Sequence, residues 1–120
     1  MELPLTITAN GIPVPDTTEA LIREKAARLE RFYDRIVGCR VTLEGPGGHH
    51  KNGGSYKVRI ELSVPGPDLV VNHQSGENLP VAIREAFEAA QRQVQDRVRL
   101  LREDRSRRPE VLEIDAGGVE

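Results

Sequence analysis

Residues 56–64 alternate apolar and polar side chains without interruption, a period of two that predicts a β-strand with one buried and one wet face. Residues 65–68 then predict a turn, because Gly66 tolerates a positive φ and Pro67 has no amide hydrogen to give to a strand ladder. Apolar residues resume at Leu69. We therefore expect an antiparallel hairpin in a sheet that is buried on one face only.

The rest of the chain repeats apolar residues either every second position, as in strands, or every third and fourth, as in helices. Gly38 is expected to stop the first helix and Pro109 the second. The predicted elements are a strand through Leu5 and Ile7, a helix from about residue 16 to Ile36, a strand over 39–44, strands over 55–64 and 69–73, and a helix from Leu79 or Pro80 to about Arg107. The order β-α-β-β-β-α predicts an α+β fold of two layers, a four-stranded sheet with both helices packed on one face.

The chain of 120 residues is expected to form one domain over 1–109, followed by a tail over 110–120. The tail holds four acidic residues and no basic residue, and we expect it to be disordered. A single cysteine, Cys39, excludes an intrachain disulfide and favours a reducing compartment. The chain shows neither a membrane-spanning apolar run nor the features of a signal peptide, so we expect a cytoplasmic protein.

Arginine dominates the basic residues: of 17 Lys and Arg residues, 14 are Arg, whose planar fork of donors suits phosphate. One basic group belongs to the first predicted helix and a second to the second helix, so both could border a groove that accepts a phosphate backbone. The alternative is that these charges only solvate the helices, a view favoured by interleaved acids such as Glu88 and Asp96. The groups are Lys25, Arg28, Arg31 and Arg35, and Arg84, Arg92, Arg99 and the Arg-rich helix end.

Catalytic and metal-binding patterns are poor, and we expect no enzyme, no cofactor, no metal site and no small-molecule substrate. Cys39 is interpreted as a small buried hydrophobe, and His49, His50 and His73 lack the ligand spacing of a closed metal site. The Gly-rich segment 45–54 is interpreted as a mobile hairpin connection, with a basic RNA-reaching finger as the alternative. Two Tyr, two Phe and no Trp argue against a base-stacking platform.

Three segments, EKAARLERFYDRI (24–36), HHKNGGSYKVRIELSVPGPDLVVN (49–72) and VAIREAFEAAQRQVQDRVR (81–99), resemble the ribosome hibernation-promoting factor and ribosome-associated inhibitor family. The family is also called ribosomal subunit interface protein or sigma-54 modulation protein. The resemblance covers about residues 3–108. It implies a double-stranded-RNA-binding-like fold and a non-enzymatic protein that binds the small ribosomal subunit and its rRNA under stress or in stationary phase. Such a protein occupies the channel between head and body and silences idle ribosomes.

The resemblance also implies which residues bind rRNA. Lys25 and Arg28 match basic residues of the family's first helix and Arg92 matches one of its second helix, with Arg31, Arg35 and Arg99 as further candidates. Long members add a C-terminal module that pairs ribosomes; this chain ends at Glu120, and we expect no direct pairing and a monomer. The alternative hypothesis is a protein-interaction or homodimerisation module that uses the open sheet face or a strand edge and does not bind ribosomes.

Overall fold

The predicted element order is confirmed. The computed structural model describes residues 4–45, 55–75 and 78–115, with side chains as far as Glu103. The elements are β1 (Leu5–Asn10), α1 (Asp16–Phe32), β2 (Gly38–Glu44), β3 (Tyr56–Ser63), β4 (Leu69–Ser75) and α2 (Leu79–Asp115). The predicted Gly-rich connection falls mostly on residues 46–54, which lie outside the described residues.

The four strands form one sheet in the order β1-β2-β3-β4. The first pair is parallel, and α1 makes the crossover that a parallel pair requires. The other two pairs are antiparallel, with Ile60 at the centre of β3 opposite Val41 on one side and Val71 on the other. The predicted hairpin is present, and Gly66 in its turn has a φ of 86°, a left-handed conformation that favours glycine.

The buried apolar positions of β2, β3 and β4 lie on the face that the two helices cover, whereas Val70 of β4 is exposed on the other face. Ile22 of α1 and Ile83 of α2 are fully buried together with Val41, Leu43 and Ile60 of the sheet. The strand positions between them point to the other face, as the pleat dictates, and most of them carry polar side chains. The fold is therefore the predicted two-layer arrangement, in which one sheet face stays open to solvent.

The first helix ends earlier than predicted. It stops at Phe32, and Tyr33 adopts extended backbone angles (φ −144°, ψ 103°) while its amide donates to the Leu29 carbonyl at 2.9 Å. A turn at Asp34 and Arg35 follows. Ile36 is nevertheless buried, because it reaches the core from the extended segment that leads into β2. The prediction that Gly38 stops the helix is therefore wrong.

The second helix begins as predicted and ends later. Asn78 caps it, since its side-chain oxygen accepts a hydrogen bond from the Val81 amide at 3.0 Å. The predicted end at Pro109 is wrong: the helix runs to Asp115, through the first half of the segment that we expected to be a disordered tail. Proline removes one helical hydrogen bond and bends a helix without always ending it, and the flanking Arg, Glu and Leu residues are good helix formers.

Candidate nucleic-acid interface

The two helices lie side by side and run in the same direction over the sheet. The beginning of α1, from Thr17 to Glu24, lies beside Pro80 and Arg84 at the beginning of α2. The end of α1 lies beside residues 95–102 of α2. Surface pockets therefore follow the line where the helices meet, and together we call them the groove; basic side chains from both predicted groups line it.

The middle of this groove joins three cations. Lys25 and Arg28 of α1 line it together with Arg84 of α2, and Glu88 and Gln91 stand on the same wall as Arg84. Helical geometry explains the pairing, because residues three apart on α1 project to nearly the same side of the helix. Arg28 also contacts Glu24 at 3.3 Å, but both side chains are more than half exposed. This exposed ion pair leaves the arginine available to a stronger anion.

At its far end the groove opens into a cleft of about 570 Å³, where α1 stops and the chain turns toward β2. The early end of α1 shapes this cleft, since the turn at Asp34 and Arg35 brings residues on both sides of it to one opening. Its walls combine cations with apolar side chains, and Asp34 is its acidic residue. The lining residues are Arg31, Phe32, Tyr33, Asp34, Arg35, Gln95, Val98, Leu101 and Arg102.

Over its full length the groove is lined by six basic and three acidic side chains. Four of the predicted contacts lie in it: Lys25, Arg28 and Arg31 of α1, and Arg35 in the turn that follows α1. Arg84 and Arg102 line it as well; both belong to the second predicted basic group, although neither was chosen from the sequence as an rRNA contact. The signal for them is their spacing: residues 84, 91, 95 and 102 return to one side of an α-helix, since 18 residues make about five turns.

The other two predicted contacts lie elsewhere. Arg92 and Arg99 are exposed on α2 and are not among the residues that line the groove. Arg92 follows Arg84 by eight residues, which turns its side chain by about 80° around the helix axis. Arg99 contacts Asp96 at 3.3 Å and Glu103 at 3.7 Å on the same helix face. The first basic group therefore borders the groove, as expected. Of the second group, Arg84 and Arg102 border it, whereas Arg92 and Arg99 do not.

Arg97, within the Arg-rich part of α2, has a structural role. Its Nη1 donates to the carbonyl oxygens of Pro65 and Pro67, both at 2.9 Å, and so ties the β3–β4 turn to the helix. Those carbonyls lie in a turn with few backbone donors, because prolines supply none. Arginine density along a helix is therefore a poor guide to which cations face a ligand.

Two cations on the open face of the sheet, Arg40 and Arg59, are paired with a carboxylate. Arg59 donates to Glu61 at 2.6 Å and to the Asn72 side chain at 3.4 Å, and Arg40 lies 3.6 Å from Glu61. The hydrogen bond from Arg59 is the main cause that lowers the pKa of Glu61, aided by the positive charges of Arg59 and Arg40. Because this carboxylate stays ionised, it offsets part of the positive charge of the sheet face.

The residues considered for chemistry take structural places. Cys39 is buried in the core, where desolvation raises the pKa of its thiol to about 12. His73 meets Glu85 at 2.8 Å and joins β4 to α2. Within the described part of the chain, no three His, Cys, Asp or Glu side chains converge as metal ligands. His49, His50 and Lys51 lie outside the described residues. Of the helices in the described residues, neither is long and apolar enough to cross a membrane.

Comparison with known proteins agrees with the fold. The chain is 26% identical over 107 residues to a ribosome hibernation promotion factor of Deinococcus radiodurans, an alignment that covers 88% of this chain and 55% of that protein. The chain thus spans about half the length of this curated relative. Two solved structures share its fold. A ribosomal subunit interface protein from Coxiella burnetii has a TM-score of 0.66 at 14% identity and covers 78% of this chain and 96% of its own.

The second is the N-terminal domain of Thermus thermophilus Protein Y, with a TM-score of 0.63 at 23% identity over 80% of this chain and 98% of that one. The model of the family described as sigma 54 modulation protein / S30EA ribosomal protein matches residues 5–102. This match spans all four strands, α1 and the part of α2 that lies on the sheet. The chain therefore belongs to the sigma 54 modulation protein / S30EA ribosomal protein family.

Proposed function

We propose that this protein binds the small ribosomal subunit through the groove between α1 and α2 and silences idle ribosomes. The observation that carries the proposal is the groove itself, in which Lys25, Arg28 and Arg84 converge from two helices in a chain of this family. An RNA backbone presents closely spaced phosphates, and several cations along one line gain affinity together by releasing its counterions. Phosphate contacts fix the position of a protein on RNA without reading its sequence.

The charge distribution favours the groove over the sheet. The sheet-face cations Arg40 and Arg59 already share Glu61, so an approaching phosphate would have to compete with that carboxylate. Lys25, Arg31 and Arg35 carry no such close acidic partner among the ion pairs of the described residues. Helix-borne cations held by a rigid two-layer domain also lose less entropy on binding than cations on loops.

Cosedimentation with separated ribosomal subunits over a salt series tests the binding. We expect the wild-type protein to pellet with small subunits at low salt and to be released as salt rises. A groove variant, Arg28→Gln with Arg84→Gln, removes two cations that face the groove. It should bind more weakly and with a salt slope lower by roughly one to two, because each lost phosphate contact removes close to one unit.

The matched control is Arg92→Gln with Arg99→Gln, which removes the same charge from the outer face of α2. It should change affinity less than the groove variant, although it lowers the net charge equally. Equal losses in the two variants would assign binding to net charge alone. No pelleting of the wild type at low salt would contradict ribosome binding, and preferential pelleting with large subunits would contradict the choice of subunit.

Silencing is tested separately in a cell-free translation reaction programmed with a reporter messenger RNA. The wild-type protein, added before the messenger, should lower reporter synthesis in proportion to the small subunits it occupies. The groove variant should inhibit less, in step with its weaker binding. Full binding to small subunits without any inhibition of reporter synthesis would retain the proposed binding and contradict the proposed silencing.

The alternative is a homodimerisation or protein-interaction module, which the sheet edges favour. β1 and β4 are the outer strands of the sheet, and an outer strand can pair with an added strand. Main-chain pairing depends little on salt. A dimer seen by size exclusion at both low and high salt, together with no affinity for ribosomes, would favour this alternative.

A further inference from the structure

We propose that the cleft at the end of the groove receives an unpaired nucleotide of RNA, whose base stacks on Phe32 while its phosphates meet the surrounding arginines. The inference rests on the proposed function and goes beyond it, because it assigns one part of the groove to single-stranded RNA. The groove as a whole offers phosphate contacts that any RNA could fill; this cleft adds an aromatic surface.

The chain has four aromatic residues, and two of them, Phe32 and Tyr33, are neighbours that line this one cleft. Phe32 is 46% exposed, so part of its ring is accessible to a ligand. Tyr33 is partly buried against the core and fixes the local backbone. Sites that bind single-stranded nucleic acids combine an exposed aromatic side chain, on which a base stacks, with nearby cations, which contact the phosphates.

The surroundings have the charge that a nucleotide needs. Arg31, Arg35 and Arg102 line the same opening, against a single carboxylate, Asp34. Val98 and Leu101 add apolar surface to the lining, which can accept the edge of a base. The volume of about 570 Å³ lies within the range of small-molecule sites, so a single nucleotide fits where a duplex does not.

The arginines that line the cleft would also suit a protein segment that combines acidic and apolar residues. RNA is favoured because a second pocket, lined by Lys25, Arg28 and Arg84, lies on the same line where α1 and α2 meet. A strand that leaves the cleft along this line would meet these cations. An extended line of cations matches a phosphate backbone, whose charges repeat at regular intervals. The exposed aromatic ring then supplies what a phosphate contact lacks, a face on which any base can stack.

The test uses the full chain and a hexaadenylate RNA, with a 16-base-pair RNA duplex as the second probe, at low salt. Amide and aromatic NMR signals of Phe32, Tyr33 and Arg102 should shift with the single strand more than with the duplex. Phe32→Leu keeps apolar volume but removes the ring, and it should weaken single-strand binding by at least about fivefold, the lower end of base–aromatic stacking. Phe32→Trp should retain it.

Leu100→Ala is the control, since Leu100 is 52% exposed on α2 and does not line the cleft. Equal affinity for single strand and duplex, or unchanged affinity of Phe32→Leu, would overturn the inference. Shifts with an acidic peptide and none with RNA would also overturn it and make the cleft a protein-docking site. Ribosome cosedimentation separates the two proposals: equal affinity of wild type and Phe32→Leu for small subunits would retain the proposed function and reject stacking. Failure of both to bind would reject the proposed function.

Discussion

Replacing Arg97 by Met should destabilise the protein without weakening its attachment to RNA. The side chain makes two hydrogen bonds of 2.9 Å to the carbonyls of Pro65 and Pro67. Hydrogen bonds from a charged donor contribute about 1.5–3 kcal/mol when well buried. The bond to Pro65 is only partly buried and the bond to Pro67 is exposed. We therefore expect about 2 kcal/mol for the two together.

Methionine preserves most of the methylene contacts of Arg97, so the loss reports mainly on the guanidinium. Urea unfolding followed by circular dichroism measures it. For an m-value of about 2 kcal/mol/M, the midpoint should fall by about 1 M. The urea midpoint of Arg97→Lys should lie between those of the wild type and Arg97→Met, because an ammonium group lacks the guanidinium fork that reaches both carbonyls at once.

Arg92→Met is the matched control on the solvent side of the same helix, and its free energy of unfolding should change by less than about 0.5 kcal/mol. Under conditions where Arg97→Met is folded, its binding to small subunits should equal that of the wild type. An unchanged urea midpoint for Arg97→Met would refute the structural role of this arginine. A binding loss larger than that of the groove variant would place Arg97 in the interface.

Three further predictions concern single positions. Asn78→Ala removes the cap of α2 and should lower the free energy of unfolding by about 1 kcal/mol, whereas Asn78→Asp should retain stability, both measured in urea. Gly66→Ala forces a residue with a Cβ to a φ of 86° beside Arg97 and should cost about 1 kcal/mol or more in the same assay, while Gly38→Ala, which meets only ordinary contacts, should not. Burial raises the pKa of Cys39 from 9.0 to about 12, so on raising the pH the thiol ionises in the unfolded chain before it does in the folded protein. The stability that the buried neutral thiol contributes is therefore complete below pH 9 and is lost as pH rises from 9 to 12. The urea midpoint of the wild type should therefore fall more between pH 8 and pH 10 than that of Cys39→Ala, and parallel midpoints would contradict the shift.

The sheet could be predicted from sequence because each strand repeats with a period of two and each turn has its own signal. Residues 56–64 alternate strictly, and Gly66 supplies the positive φ that the following turn uses. These are local properties, set by backbone sterics and by which face is wet. Local patterns therefore suffice to predict them.

The ends of both helices were harder to predict because they depend on what the chain meets next. Leu29, Tyr33 and Ile36 have helical spacing, yet Ile36 reaches the core from an extended segment. That segment is fixed by long-range contacts such as the Val37 amide on the Ser63 carbonyl at 2.8 Å. Periodicity alone cannot distinguish a helical turn from an extended strand entry when both bury the same side chain.

The candidate site was predictable on one helix and not on the other. Lys25, Arg28 and Arg31 recur every three residues along α1, and Arg35 follows in the turn after it, so this group can be identified from the sequence of one segment. Choosing between Arg84 and Arg92 on α2 requires knowing which side faces α1, and that is a property of tertiary packing.

Electron cryo-microscopy of the protein bound to vacant small subunits tests the central claim most directly. The account predicts that the groove between α1 and α2 faces rRNA, with Arg28 and Arg84 about 3 Å from phosphate oxygens. It also predicts that the open face of the sheet, with Arg59 and Glu61, is turned away from the RNA. A complex in which the sheet face contacts rRNA and the groove faces solvent would contradict it.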